Sequence, residues 1–290
     1  IKININKRPG KGKVNIINVW EDDFTTTFGK PTKDSGTKSF LSLQAAVQAL
    51  KNNKINLLVT APINKNNIQS EKFKFPGHTD YLAQELDGDS LMFMICDELK
   101  IGLLTDHVAL KEINRHVTKQ RIEQKFSLIN ESLKKDFGIQ KPKIAVLSID
   151  PHAGDGGVIG KDDQDILKPV LLEIASKNNL VFGPFSSDSF FGSGQHKKYD
   201  AVLAIYHDQG LIPFKTLSFG SGVNYTAGLN KVRTSPDHGT GYDIAGKGLA
   251  DSTSFKNAIF SAIEIFKSRK LFEDLNKNPL NLSNSKTAKK

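Results

Sequence analysis

The sequence predicts an α/β fold with a mostly parallel sheet, and two observations support this prediction. First, short apolar runs typical of buried strands alternate with segments whose apolar residues recur at helical spacing. Second, polar and glycine-rich clusters follow several of the apolar runs, as expected where ligands bind at the carboxyl ends of strands. The clearest example is residues 200–215, in which the run AVLAI is followed at once by YHDQG.

The predicted elements follow one another along the chain. Residues 2–19 are expected to form one or two exposed strands, and residues 30–38 a polar loop. Further strands are predicted at residues 56–60, 91–96, 101–104, 143–149, 181–184, 201–205 and 219–228. Helices are predicted at residues 39–51, 81–86, 110–137, 166–175 and 254–267. Residues 233–248 are expected to form a loop rich in Gly, Asp and His.

The start of the helix at residues 81–86 has two interpretations. Thr79 or Asp80 could be its N-cap, because both residue types accept hydrogen bonds from free helix amides. The alternative is that His78 and Thr79 hold an anion at the point where those amides converge. The sequence alone leaves both interpretations open.

Composition limits the class of protein. The chain has 290 residues, a formal charge of +9 and a pI of about 9.3. A single cysteine, Cys96, excludes an internal disulfide framework and favours a reducing, cytoplasmic location. No apolar run approaches the roughly 20 residues of a membrane span, and no signal peptide is recognisable. The first residue is Ile, which suggests that the sequence starts inside a longer reading frame.

The positive charge is mostly lysine and is concentrated near residues 7–13 and 267–290, which are expected to be solvated. Nucleic-acid-binding proteins usually add arginine and interleaved aromatic residues to such patches, and neither feature is present. The charge could instead accompany a basic cleft for an anionic small substrate.

Three histidines each follow a predicted strand: His107, His152 and His207. Three convergent imidazoles are a known ligand set for a catalytic divalent metal with an open position. The alternative is that each histidine only forms structural hydrogen bonds. The histidines at positions 116 and 196 are expected at the surface, and the carboxylates at positions 155, 162, 163 and 165 are expected in a solvated loop and helix start.

Lys215 follows a proline and a phenylalanine, and burial in that setting would suit it to acid–base chemistry. The alternative is a surface lysine whose stem alone is buried. Together with Asn224 and Arg233, Lys215 could form a clamp for a phosphate or carboxylate. The Gly-x-Gly at positions 220–222 lacks the following helix of a dinucleotide fingerprint, so any nicotinamide site is expected to differ from a standard Rossmann site.

Seven motifs carry a resemblance to a known family. They are TAPINK at Thr60, GHTDYLA at Gly77, TDHVAL at Thr105, PHAGDGG at Pro151, YHDQGLIPFK at Tyr206, GVNYTAGL at Gly222 and RTSPDHGTGYDIAGKG at Arg233. Together they resemble the 4-hydroxythreonine-4-phosphate dehydrogenase family of pyridoxal phosphate biosynthesis. The last motif also resembles a segment of isocitrate and isopropylmalate dehydrogenases. This similarity implies an isopropylmalate-dehydrogenase-like fold, with two α/β/α subdomains around a cleft.

The resemblance also implies a division of the chain. Residues 1–75 with 216–290 would form a cofactor-binding subdomain, residues 76–215 a metal and dimerisation subdomain, and residues 268–290 a polar tail. Family members begin with a strand, a Gly-Asp-x-x-Gly-Ile-Gly-Pro-Glu motif and a helix. This sequence has no match to that beginning, so we expect a fragment or a misplaced start.

Roles for individual residues are implied residue by residue. The metal ligands would be His107, His152 and His207. The substrate-binding residues would be His78, Thr79, Lys215, Asn224 and Arg233. The residues near the adenosine end of the cofactor would be His238, Gly239, Asp243 and Gly246. Lys215 and His207 would be the catalytic residues.

The implied reaction is the oxidation of 4-phosphooxy-L-threonine by NAD or NADP, followed by decarboxylation to 3-amino-2-oxopropyl phosphate. One divalent metal (zinc, magnesium or cobalt) per site and a homodimer with the active site at its interface are also implied, with no nucleic acid or membrane partner. One alternative is a sister dehydrogenase acting on D-threonate or D-erythronate 4-phosphate. A second alternative, from another class, is a non-catalytic basic protein that binds nucleic acid.

Overall fold

A computed structural model describes residues 2–3, 10 and 12–278. The strands are β1 (Lys2–Ile3), β2 (Ile16–Ile17), β3 (Leu57–Val59), β4 (Leu91–Ile95), β5 (Lys100–Leu103), β6 (Lys143–Leu147), β7 (Leu180–Phe185), β8 (Ala201–Ala204), β9 (Val223–Ala227) and β10 (Val232–Pro236). The α-helices are α1 (Lys33–Lys51), α2 (His78–Glu85), α3 (Ile113–His116), α4 (Lys119–Lys135), α5 (Lys168–Ser176), α6 (Ser187–Gly192), α7 (His207–Ser218) and α8 (Thr253–Asn276).

Eight of these strands form one sheet in the order β3-β10-β9-β4-β5-β8-β6-β7. The pairs β3–β10, β5–β8, β8–β6 and β6–β7 are parallel, whereas β10–β9, β9–β4 and β4–β5 are antiparallel. The α/β prediction is therefore confirmed, but the middle of the sheet is antiparallel. Two of the antiparallel pairs, β4–β5 and β9–β10, are explained by chain connection. Each pair is joined by a short turn, and strands joined by a short turn run antiparallel.

The buried strand predicted at residues 201–205 is confirmed as β8. All four of its residues are buried, and it pairs in parallel with β5 on one side and β6 on the other. Neighbouring residues face opposite sides of the sheet. On β4, for example, Phe93 packs into one apolar cluster with α4 and α8, and Met94 packs into a second cluster with α7.

The predicted division of the chain maps onto adjoining blocks of this sheet. Strands β3, β10 and β9 come from residues 1–75 and 216–290, and the other five strands come from residues 76–215. The two blocks meet where β9 pairs with β4 over five residue pairs. Whether the blocks act as subdomains stays a prediction.

Two helix boundaries differ from the sequence-based prediction. Helix α1 begins inside the predicted loop at residues 30–38, because Thr32 and Ser35 form a reciprocal capping box. The long helix predicted at residues 110–137 is interrupted between α3 and α4. There the hydroxyl of Thr118 accepts a hydrogen bond from the Arg121 amide at 3.3 Å and so begins α4 as a new helix.

The last third of the chain holds two further corrections. The loop predicted at residues 233–248 begins as β10, whose five residues are all buried because the strand pairs with β3 and with β9. Helix α8 continues to Asn276, so residues 268–276 are not a polar tail. Residues 279–290 of that predicted tail, and residues 4–9 and 11 near the start, lie outside the described part of the chain. Within the described ranges, no helix is long and apolar enough to cross a membrane.

Candidate active site

Two of the predicted metal ligands lie side by side. His107 follows β5 and His207 is the first residue of α7, directly after β8. Because β5 and β8 are parallel neighbours, their carboxyl ends meet at the same edge of the sheet. The two imidazole rings accordingly lie with centroids 5.9 Å apart and planes tilted by 36°.

Hydrogen bonds identify Nε2 as the acceptor nitrogen of each ring in its neutral form. Lys65 Nζ lies 3.3 Å from His107 Nε2, and an ammonium can only donate, so this nitrogen is the acceptor. Burial, then the charge of Lys65, lowers the pKa of His107 and favours its neutral form. His207 Nδ1 lies 2.7 Å from Asp208 Oδ1, so the carboxylate accepts the Nδ1 proton and Nε2 is left to accept.

This pair fits a divalent metal, because neutral imidazole nitrogens oriented by a carboxylate are typical ligands for zinc and its neighbours. The pair is incomplete, however. Among the residues that the structure describes, no group of three or more His, Cys, Asp or Glu side chains could hold a metal ion. The described residues therefore place two candidate metal ligands together at this position.

The third predicted ligand, His152, lies apart from this pair in an unusual turn after β6. His152 and Ala153 both have φ of 52°, and the left-handed conformation continues through Gly154, Asp155 and Gly156. Gly154 is required there, since a Cβ would lie 2.3 Å from the backbone oxygen of Gly160. Such conformations cost roughly 1–2 kcal/mol per non-glycine residue, and strain of this kind concentrates at functional sites.

His152 is exposed and lines a separate cavity of about 220 Å³ with Ser148 and Asp188. The turn is anchored by Asp163, whose carboxylate accepts hydrogen bonds from the Ile149 and Asp150 amides at 2.9 and 2.8 Å. Burial raises the pKa of Asp163. The expectation that this carboxylate is solvated was therefore wrong, because it stabilises the backbone of the turn.

A second feature of the site is a cavity of about 220 Å³ that contains a buried cation. Its lining includes Lys65, His78, Thr79, His107, Asn224, Arg233, His238 and Gly239. Arg233 is 2% exposed. Its Nε and Nη2 donate to Thr60 Oγ1 at 3.1 and 2.6 Å, and its Nη1 donates to Thr226 Oγ1 at 3.0 Å. The cavity therefore combines a guanidinium with an imidazole of the histidine pair.

Two residues that line the cavity with Arg233 also have polar groups that a ligand could contact. Burial, then the charges of Arg233 and Lys65, lowers the pKa of His78 to about 3, so this imidazole is neutral at physiological pH. Asn224 Oδ1 is buried without a hydrogen-bond partner. The N-cap of α2 is Gly77, so neither Thr79 nor Asp80 caps the helix as one interpretation predicted.

Lys215 is not buried. Its side chain is 53% exposed, and Nζ lies 3.4 Å from Asp237 Oδ1. Burial raises the pKa of Asp237, and Lys215 acts in the opposite direction. Asn224 and Arg233 line one cavity and Lys215 lies beside Asp237, so the three-residue clamp stays a prediction. The apolar neighbours Pro213 and Phe214 do not enclose the lysine, because α7 directs its side chain outward.

The glycine-rich segment after β10 lines a larger cavity of about 690 Å³. All four predicted cofactor residues line it: His238, Gly239, Asp243 and Gly246. Its volume is within the roughly 300–1,000 Å³ of typical small-molecule sites. His238 and Gly239 also line the Arg233 cavity, so the two cavities adjoin. A ligand in one could therefore meet a ligand in the other.

Gln209 has a structural role that the sequence did not reveal. Its Oε1 accepts from the Ile205 amide at 2.6 Å, and its Nε2 donates to Ser148 O at 2.7 Å and to Ser187 Oγ at 2.9 Å. It thereby joins the ends of β6 and β8 to the start of α6.

The prediction that His196 lies at the surface was wrong. His196 is 5% exposed, and its ring packs against that of Phe191.

The fold and these adjoining cavities define an α/β enzyme that brings a small anionic substrate to a second ligand. A family model described as pyridoxal phosphate biosynthetic protein PdxA matches residues 2–262. The chain belongs to this family, which is a family of dehydrogenases. The resemblance drawn from the seven motifs is therefore confirmed.

Individual relatives agree with this assignment. The chain is 44% identical over 280 residues to the 4-hydroxythreonine-4-phosphate dehydrogenase of Bacteroides thetaiotaomicron, covering 96% of this chain and 77% of the relative. It is 42% identical over 262 residues to the enzyme of the same name from a Sulfurihydrogenibium species, covering 90% and 80%. The crystal structure of 4-hydroxythreonine-4-phosphate dehydrogenase from Klebsiella pneumoniae matches with a TM-score of 0.72 and 34% identity, covering 82% of this chain and 72% of that one.

Proposed function

We propose that this chain catalyses the NAD(P)-dependent oxidation of 4-phosphooxy-L-threonine and its decarboxylation to 3-amino-2-oxopropyl phosphate, in pyridoxal 5'-phosphate biosynthesis. Relatives that carry the name of this activity support the proposal. The observation that carries it is the cavity shared by buried Arg233 and His107, which adjoins the glycine-rich cavity through His238. A phosphorylated hydroxy acid needs this combination of a cation and a metal-binding imidazole beside a cofactor site.

His107 and His207 of one chain, together with His152 of a second chain, would hold one divalent ion per site. Such an ion would lower the pKa of the substrate hydroxyl and polarise the ketone formed from it. Three nitrogen ligands favour zinc or cobalt over magnesium, which prefers oxygen ligands. The separation of His152 from the other two histidines supports a homodimer in which each site draws ligands from both subunits.

The cavity around Arg233 would bind the charged ends of the substrate. Arg233 would take a phosphate or carboxylate, since guanidinium pairs with such groups through two parallel hydrogen bonds. His78 would donate an N–H as a neutral imidazole, and Thr79 would add a hydroxyl. The free Oδ1 of Asn224 is an acceptor and would suit the substrate ammonium or hydroxyl.

Lys215 would move protons during the reaction. Oxidation removes a hydride from the carbon and a proton from its hydroxyl, and Lys215, in its neutral amine form, would receive that proton. Loss of carbon dioxide then leaves an electron pair on the neighbouring carbon, and Lys215 would return a proton there. Asp237 would hold Nζ in place, since the two groups are already 3.4 Å apart.

The glycine-rich cavity would bind the adenosine part of NAD or NADP, whose nicotinamide is the hydride acceptor. Gly241, Gly246 and Gly248 all have positive φ, a conformation that residues with a side chain rarely adopt. The absence of side chains there allows the backbone to approach a bulky ligand closely. His238, Gly239, Asp243 and Gly246 would be the contacting residues.

A substrate comparison tests the proposal against its nearest alternative. We expect kcat/KM to be higher for 4-phosphooxy-L-threonine than for D-threonate or D-erythronate 4-phosphate, measured with each nicotinamide cofactor and each of zinc, cobalt and magnesium. A preference for either sugar-acid phosphate would instead assign the chain to the sister activity. Metal-loaded, folded protein that turns over none of the three would overturn both assignments.

A further inference from the structure

The described part of the chain contains two buried arginines that are held in different ways. Arg269 is 6% exposed, and its Nε donates to the carboxylate of Asp136 at 2.9 Å. Arg233 is 2% exposed, and its three hydrogen bonds go to the hydroxyls of Thr60 and Thr226. In the described part of the chain, Arg233 forms an ion pair with no carboxylate. One buried cation is therefore neutralised and the other is not.

This difference affects the charge on each group. For Arg269, burial acts to lower the pKa, but Tyr225 and Asp136 oppose it and the net direction is upward. For Arg233, burial lowers the pKa to about 9, and no acidic neighbour opposes the effect. A buried charge without a counter-charge is destabilising, and hydroxyl partners reduce that cost without removing the charge. The arrangement around Arg233 thus keeps a full positive charge in the site.

The hydrogen-bond inventory also leaves room for a ligand. A guanidinium has five N–H donors, and the two threonines occupy three of them. The two that remain belong to Nη1 and Nη2. Arg233 lines the small cavity together with Asn224, whose buried Oδ1 lacks a partner. One N–H group on Nη1 and one on Nη2 can together match the two oxygens of a phosphate or carboxylate.

We propose that Thr60 and Thr226 are positioning residues that orient Arg233 through neutral oxygens, so that its charge stays available for an anionic group of the substrate. A carboxylate at either position would bind the guanidinium more strongly, but it would neutralise the charge and repel the incoming anion. The proposal rests on the proposed function in placing a phosphorylated substrate in this cavity.

The first test introduces a counter-charge with Thr226→Asp. We expect the affinity for inorganic phosphate, measured by calorimetry, to fall roughly tenfold or more, because the added carboxylate neutralises the guanidinium and repels the anion. We expect KM for the phosphorylated substrate to rise more than kcat falls. Thermal stability should be retained or increased, since the buried cation gains a counter-charge. If Thr226 had only a structural role, Thr226→Asp should instead lower the thermal stability.

The second test uses variants close in size to threonine. Thr60→Val removes the acceptor for Nε and Nη2 and should weaken phosphate binding, whereas Thr60→Ser keeps the hydroxyl and should restore it. Thr234→Val is the matched control, because Thr234 is also buried but its hydroxyl donates to Ala258 O at 2.7 Å. This control should bind phosphate as the unaltered chain does.

The phosphate affinities and thermal stabilities in both tests are read without turnover, so these readouts separate this proposal from the proposed function. Unchanged phosphate affinity in both Thr226→Asp and Thr60→Val would overturn the positioning role. If Thr226→Asp does not fold, the Val and Ser pair at position 60 decides alone: equal affinity in the two variants overturns the proposal. Normal phosphate behaviour in every variant, combined with no activity on 4-phosphooxy-L-threonine, would reject the substrate as well as the positioning role.

Discussion

His107 and His207 lie on the same chain with their ring centroids 5.9 Å apart, and Nε2 is the acceptor nitrogen of each ring in its neutral form. His152 lies elsewhere, in the left-handed turn after β6. If three histidines bind one ion, the simplest arrangement takes two from one subunit and His152 from the other. This arrangement predicts which pairs of inactive variants regain activity when they form mixed dimers.

Mixed dimers should reveal which histidine is supplied by the second subunit. We expect purified protein to carry about one divalent ion per chain. His107→Ala, His152→Ala and His207→Ala should each lose metal and activity. Co-refolding His152→Ala with either of the other two variants should restore half of the sites in each mixed dimer, because one site then carries both lesions and the other carries none. The pair His107→Ala with His207→Ala should restore nothing.

Differential tags on the two subunits verify that mixed dimers have formed. Recovery in the pairings that contain His152→Ala, and in no other pairing, supports the shared site. If mixed dimers form and no pairing recovers activity, each site takes its ligands from a single chain. That outcome would contradict the shared-site arrangement.

Lys215 should matter for chemistry rather than for binding. Lys215→Met is expected to lower kcat about 100-fold or more, because it removes the group that exchanges protons with the substrate. Lys215→Arg is the matched variant, since it retains the charge facing Asp237 but does not release a proton at neutral pH. Both variants should keep their metal. Near-normal turnover in either would show that Lys215 is not the proton-transfer group.

His78 should make stability depend on pH. Its pKa is lowered from 6.5 to about 3, so between those values the unfolded chain binds a proton that the folded chain excludes. The free energy of unfolding should therefore decrease on acidification through this window, with a slope of up to about 1.4 kcal/mol per pH unit from this residue. Urea titrations of His78→Gln should show a shallower dependence of unfolding free energy on pH than the unaltered chain. Equal slopes for the unaltered chain and His78→Gln would refute the assignment.

Gln209 should stabilise the fold through its three hydrogen bonds. Gln209→Leu leaves the Ile205 amide and the Ser148 carbonyl without these partners, at an expected cost of about 2 kcal/mol or more in unfolding free energy. Gln48→Leu is the control, because Gln48 is an exposed helical glutamine. Chemical denaturation compares the two variants. Similar losses for both would show that the hydrogen bonds of Gln209 are not specifically stabilising.

Sequence was sufficient where the structure depends on local pattern. The run at β8 and the polar residues after it predicted both a buried strand and the position of His207, because an apolar strand and its polar end are contiguous. The motif resemblance likewise predicted that His238 and Gly246 belong to one site, and both line the glycine-rich cavity. These inferences needed no knowledge of which strands become neighbours.

Sequence was insufficient where distant segments meet. Strand β10 has the polar sequence VRTSP and was predicted as a loop, but pairing on both sides buries it. Arg233 donates a hydrogen bond to Thr60, which is 173 residues away in the sequence. Arg269, in the part of α8 beyond the predicted helix, donates to Asp136, which is 133 residues away. The exposure of Lys215 likewise depends on how α7 packs. Such contacts follow from sheet order, and local periodicity does not encode sheet order.

The most direct test of the central claim is a stoichiometry measured on metal-loaded protein with 4-phosphooxy-L-threonine. Reduced nicotinamide and released carbon dioxide are quantified in the same reaction. We predict equal amounts of the two products, together with 3-amino-2-oxopropyl phosphate, and loss of both signals after chelation of the metal. Reduced nicotinamide without carbon dioxide, or no reduction of either NAD or NADP by folded, metal-loaded dimers, would contradict the proposed oxidation and decarboxylation.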